Sequence, residues 1–250
     1  MVHVWQVLLV DVSGAVSEIK SELEAHADQE RARQQRAYLK SEIGHLGSSV
    51  PEVRGVVRRF HRDHPSLDRD QLVELAGELW EDPIHEHRLA AVELLAARTK
   101  VLNAADLPMM ESMLRQASTW ALVDPIAIWL VGAIVAADQS SATWLDRWVV
   151  DNDFWVRRAA LLALLVPLRG GRGDFVRFGR YADDLLDERE FFIAKAIGWV
   201  LRDTSKRRPD LVFEWLAPRV GRASGVTLRE AVKYLTGPQR AAIEAARSGG

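Results

Sequence analysis

Arg158-Ala-Ala-Leu-Leu-Ala-Leu-Leu165 sets one polar residue ahead of small residues and then bulky aliphatics, and that order recurs along the chain. Arg88-Leu-Ala-Ala-Val-Glu-Leu-Leu95 and Lys195-Ala-Ile-Gly-Trp-Val-Leu201 repeat it closely. Arg229-Glu-Ala-Val-Lys-Tyr-Leu235 repeats it more loosely, and Asp124-Pro-Ile-Ala-Ile-Trp-Leu-Val131 fits the same frame. The reference positions 88, 124, 158, 195 and 229 are 36, 34, 37 and 34 residues apart. Such a period suits stacked helix pairs of the HEAT type, with insertions such as Gly170-Gly-Arg-Gly173 taken up in loops. Each pair would bury its apolar stripe against its neighbours. The expected fold is therefore all-α: a HEAT-like helical repeat solenoid, one domain over residues 1–250, whose equivalent helices line a concave basic face.

The remaining segments agree with that class. Residues 13–44 carry two helical patterns, the first with Val16, Ile19, Leu23 and Ala27 on one face and the second charged from Gln29 to Arg36. Gly44 and Gly47-Ser-Ser-Val-Pro51 break the chain, after which residues 52–61 and 69–80 are again helical in period. Residues 1–12 read equally as a short strand or a buried helical turn and stay unassigned. Beyond them no strand-like alternation occurs.

Composition narrows the chemistry. A chain of 250 residues, 48% hydrophobic, can bury a sizeable core. With no cysteine, disulfides, thiolate metal sites and thiol catalysis are excluded. The longest apolar run, residues 125–137, is too short to span a bilayer, and the N-terminus lacks signal-peptide order, so a cytoplasmic protein without a membrane partner is expected. The net charge of -2 conceals an asymmetry: residues 154–235 hold sixteen Lys/Arg against ten Asp/Glu, a surplus of six. Basic surpluses of this kind bind phosphate backbones, although many are only solvated helix faces.

At the reference positions the sequence reads Arg, Asp, Arg, Lys, Arg. Asp124 is the odd carboxylate in a row of cations, and in a helix it shares a face with Trp120, Ile128 and Val131. Its plain account is a helix cap, with Pro125 as first helical residue. The row of cations argues instead for a functional charge. Between Phe191 and Lys206 the residues Lys195, Trp199, Arg202 and Lys206 share one face, basic with an indole in its middle. Lys206-Arg207-Arg208 also complements a helix dipole. Phe154-Trp155-Val156-Arg157-Arg158 repeats the mixture of aromatic and guanidinium, and one of its arginines could pair with Asp124. His85 and His87 fall on different sides of a helix, and His61 with His64 lacks further ligands, so no metal is expected. Gly170-Gly-Arg-Gly173 lacks the Lys-Ser/Thr of a phosphate cradle, so no nucleotide cofactor is expected either.

These stretches resemble a known family, the AlkD-type DNA alkylation-repair glycosylases, HEAT-like repeat enzymes. The likeness runs from about Tyr38 to Leu235. It is carried by Tyr38-Leu-Lys40 with Val50-Pro-Glu-Val-Arg54, by Trp80-Glu-Asp-Pro83 before Arg88, by Trp120-x-x-x-Asp124, by Phe154 to Arg158, and by Glu190-Phe-Phe-Ile-Ala-Lys-Ala-Ile-Gly-Trp-Val-Leu-Arg202. The resemblance implies that Asp124 is the catalytic aspartate, Trp120 and Trp199 the site indoles, and Arg158 the site arginine, holding a backbone phosphate and orienting the aspartate. Tyr38, Arg54 and Lys206 are similar to DNA-contacting positions, and Arg157, Lys195 and Arg202 extend that set. The implied reaction is hydrolysis of the bond between deoxyribose and a cationic alkylated purine such as 3-alkyladenine or 7-alkylguanine in duplex DNA, by a monomer, without cofactor and without flipping the base into a pocket. Thr119 stands where the family has a second Trp, Ala121 replaces an acidic residue, and Pro125 follows the aspartate, departures that bear on substrate range. The competing reading is a non-catalytic HEAT-like scaffold for structured DNA or an acidic protein partner. A scaffold has no need of a carboxylate flanked by indoles.

Overall fold

The computed structural model describes residues 11–248, whose regular structure is helical apart from an isolated bridge between Gly44 and Ile84. The chain divides into two compact units, Met1–Leu102 and Asn103–Gly250. All but the last two of residues 1–12 lie outside the described part; Val12 already begins the first helix.

The first unit holds α1 (Val12–Glu24), α2 (Gln29–Leu39), α3 (Val50–Asp63), α4 (Arg69–Glu81) and α5 (His85–Ala97). α1 buries Val16, Ile19 and Leu23 as its periodicity requires. Ala27 does not join them: it is exposed in the turn before Asp28, whose side chain caps α2 by accepting from Arg31 N at 2.9 Å. α5 is buried on nearly every side and packs on α3 and α4. Its histidines serve the fold. His85 stacks on His45 with centroids 4.7 Å apart, and burial holds its imidazole down at about 4. Glu86 accepts the backbone N–H groups of Leu46 and Gly47, and His87 pairs with Asp82.

The second unit begins with α6 (Leu107–Ala117). α7 (Trp120–Pro125) then runs through a π-helical turn, Ile126–Val131, into α8 (Gly132–Ala137). α9 (Ala142–Trp148), α10 (Phe154–Leu162), α11 (Leu165–Arg169), α12 (Phe175–Asp184), α13 (Phe191–Ser205), α14 (Pro209–Leu216), α15 (Gly225–Ala231) and α16 (Gly237–Ser248) complete it. The stretch 120–137 is long and apolar enough to cross a membrane by composition, yet most of it is buried inside the protein. It is a core helix.

Two features set the repeat. Trp120, Phe154, Phe191 and Gly225 open their helices, so Asp124, Arg158, Lys195 and Arg229 are each the fifth residue of equivalent helices. The sequence period also reappears as the reach of side-chain bonds. Arg158 meets Asp124 and Arg169 meets Asp203 across 34 residues, Tyr181 meets Asp146 and Lys195 meets Glu230 across 35, and Arg115 meets Asp151 and Arg219 meets Asp183 across 36.

Close helix approach explains the glycine at position 198, in mid-helix, where it costs roughly 1 kcal/mol relative to Ala. A Cβ there would lie 2.8 Å from Glu230 Cβ and 3.0 Å from Thr227 O. α15 therefore packs directly on the backbone of α13, and Thr227 Oγ1 seals the contact by donating to Ala194 O at 3.1 Å. Gly198→Ala is expected to destabilise the protein by about 1–3 kcal/mol through overpacking, read as a lower midpoint in urea denaturation; an unchanged midpoint would mean that α15 gives way freely.

Candidate active site

Asp124 does not cap a helix. Ser118 takes a left-handed φ of 50° and ends α6, and Thr119 caps the next helix by accepting from Ala121 N at 3.4 Å. Asp124 thus sits inside the helix. Pro125 follows it within the same helix, without an N–H for the carbonyl four residues back and with a ring that crowds it. The wider π-turn beginning at Ile126 accommodates this, and such turns recur at functional sites.

The Asp124 carboxylate is only 11% exposed, and its counter-charge comes from α10, which packs on both α7 and α13. Arg158 donates through Nε to Oδ1 at 2.7 Å and through Nη2 to Oδ2 at 2.8 Å, a bidentate pair. Its remaining nitrogen, Nη1, donates to Phe192 O in the first turn of α13. All three guanidinium nitrogens are engaged and the side chain is 3% exposed. Arg158 therefore holds both oxygens of the Asp124 carboxylate and ties them to the first turn of α13. The residual exposure of the pair lies on Asp124, 11% against 3% for Arg158.

An aromatic cluster lies on the Arg158 side of this pair. The Arg158 guanidinium lies 5.8 Å from the Phe192 ring, and Phe192 packs with Trp155 at 4.8 Å and Phe154 at 6.3 Å. Trp120, four residues before Asp124, is partly exposed. Trp199 is partly exposed on α13, with the Arg202 guanidinium 6.0 Å from its ring. Trp129, on the π-turn, is 46% exposed despite standing in the most apolar stretch of the chain.

The expected DNA-binding cations have more internal partners than the sequence suggested. Lys195 Nζ and Lys233 Nζ donate to Glu230 Oε1 at 2.7 and 2.9 Å, and Arg202 donates to Glu230 Oε2. Burial opposes ionisation of Glu230, but these bonds and the charges of Lys195 and Arg202 hold its carboxyl down at about 2. Lys206 pairs with Asp203 at 2.9 Å and lies 5.1 Å from the Tyr234 ring; Arg169 reaches the same Asp203 at 2.6 Å. The α13 face nevertheless keeps a positive surplus, five cations around two acids. Arg157 is held by internal partners. Its Nη1 donates to the carbonyls of Asp151 and Asn152, its Nη2 pairs with Glu188 at 2.5 Å, and its Nε is buried without a partner, so it ties the repeat together. In the first unit Tyr38 is 75% exposed at the end of α2, and Arg54 on α3 pairs with Glu93 at 2.8 Å. Among the described residues no group of three or more His, Asp or Glu could hold a metal ion.

The sequence model of a family described as DNA alkylation repair enzyme matches residues 19–235. No curated protein matches the chain. Among solved structures, one from Enterococcus faecalis described as a predicted DNA alkylation repair enzyme aligns at 24% identity and TM-score 0.75, covering 85% of this chain and 98% of its own. AlkD2 from Streptococcus mutans aligns at 21% identity and TM-score 0.59, covering 84% of this chain and 99% of its own.

Proposed function

The chain belongs to the DNA alkylation repair enzyme family, and from that premise we propose that it is a DNA glycosylase that releases cationic alkylated purines, 3-alkyladenine and 7-alkylguanine, from duplex DNA by hydrolysing the N-glycosidic bond. The observation that carries this reading is the Asp124–Arg158 pair, buried and bidentate, with Asp124 still 11% exposed one helical turn after the partly exposed Trp120. A cationic alkylated purine is already a good leaving group, so the barrier lies in the positive charge that develops on the sugar. A fixed carboxylate stabilises that charge with no reorganisation at the moment of reaction. Arg158 supplies the fixing: with both oxygens gripped and the third nitrogen anchored to Phe192 O, the carboxylate cannot rotate away from the sugar. The same carboxylate is suited to orient the attacking water. The faces of Trp120 and Trp199 would flank the sugar cation by cation–π attraction. The surplus of cations on α13 would contribute affinity through phosphates without reading sequence.

The test is release of 7-methylguanine from methylated duplex DNA by the purified protein with no metal added. Trp120→Ala and Trp199→Ala are each expected to remove about 0.5–2 kcal/mol of stabilisation, roughly a two- to thirtyfold loss in single-turnover rate. They should act differently on bulky and methyl adducts, because the indoles bound the space around the sugar. Duplex binding without any base release by the folded wild-type protein would instead support a non-catalytic binder of damaged or structured DNA.

A further inference from the structure

Glu230 is a built feature of the α13 face. Its residue is 7% exposed, the Gly198 backbone lets α15 carry it close against α13, and the Thr227 bond to Ala194 O fixes α15 there. Three cations converge on this single carboxylate, and two of them, Lys195 and Arg202, lie seven residues apart on the side of α13 that carries Trp199. A phosphate approaching either of them meets a competitor already in hydrogen-bond contact. We propose that Glu230 is an internal counter-ion that holds Lys195 and Arg202 back from phosphates, keeping affinity for undamaged duplex low so that the protein can leave it; this rests on the reading of the α13 face as a duplex-binding surface.

The consequence is specific to counter-ion accounting. A cation already neutralised by a protein carboxylate gains less from displacing the salt ions condensed on DNA, because its own partner must be released in exchange. The salt dependence of wild-type binding is therefore shallower than the number of cations on the face implies. Glu230→Gln removes the competitor and keeps the side-chain shape. It is expected to steepen the plot of log affinity against log salt by about one to two units and to tighten binding of undamaged duplex on the order of tenfold at low salt.

The experiment is fluorescence anisotropy of a labelled undamaged duplex over a salt series, with thermal melting followed by circular dichroism for each protein. Wild type, Glu230→Gln and Glu230→Gln/Lys233→Met are compared; the double variant removes one of the cations that the substitution strands, which favours folding. Tighter binding with a steeper slope in a folded Glu230 variant supports the proposal, and wild-type affinity and slope in a folded Glu230 variant overturns it. Lys195→Met in the otherwise wild-type protein decides the matter even if both Glu230 variants unfold. A loss of well under one unit of slope is expected while Glu230 competes, whereas a full unit shows Lys195 already free and overturns the proposal. Absence of duplex binding by wild type and all variants alike would defeat the duplex-binding reading itself, and the proposal with it, a result distinct from binding that ignores Glu230.

Discussion

Asp124→Asn is expected to slow release of 7-methylguanine by on the order of a hundredfold, the scale for losing one preorganised electrostatic group. The geometry adds a cost to folding. An amide offers Arg158 one acceptor oxygen in place of two and no charge, leaving a buried guanidinium half satisfied. The variant must therefore be assayed below its own melting temperature, in single turnover, beside the apolar double variant Asp124→Leu/Arg158→Met. Replacing both members of a buried pair by groups of similar volume is often close to neutral for stability, so the double variant should fold and remain inactive. Excision at the wild-type rate by folded Asp124→Asn would end the proposed mechanism. A double variant that folds and excises would do the same.

Arg158→Ala carries the largest expected effect on stability. It leaves the Asp124 carboxylate without its two donors and Phe192 O without its partner, in surroundings that admit little water. Removing one member of such a pair costs about 3–5 kcal/mol, measured as a shift in the urea midpoint. Arg158→Lys keeps the charge but cannot grip both oxygens. It should recover part of the stability and little of the excision rate, because the carboxylate is then free to turn. Equal stability of Arg158→Ala and wild type would mean that the pair does not hold α10 to α7.

The helices and their register were legible because burial repeats with the chain. Each of Asp124, Arg158, Lys195 and Arg229 is the fifth residue of its helix, a regularity visible as the 34- to 37-residue spacing of like segments. The start of α7 was not legible. Asp-Pro is a strong start signal, but Ser118-Thr119 just upstream supplies another, and the chain uses it. Adjacent residues of a helix point to different sides, so Arg157 and Arg158 take different partners, and nothing in Phe154 to Arg158 tells which of them meets Asp124. Glu230 lay hidden beside Arg229, the residue that fits the repeat frame. The signal was the period itself, since Lys195 and Glu230 are 35 residues apart. Trp129, 46% exposed, stands in a π-turn that apolar periodicity does not encode and at which only Pro125 hints.

The bonds that reach one period along the chain also govern how this molecule comes apart. In the second unit Arg115–Asp151, Asp124–Arg158, Lys195–Glu230 and Asp183–Arg219 each join a repeat to the next across 34 to 36 residues. Loop closure thus spans a similar distance at every step, whatever the total length, which favours rapid assembly from any starting repeat. Stability in such an array is close to a sum over nearest neighbours. Damage at one rung should loosen the two repeats it joins and leave distant ones protected against hydrogen exchange, so that the Asp124 rung, which carries the proposed chemistry, can open without global melting.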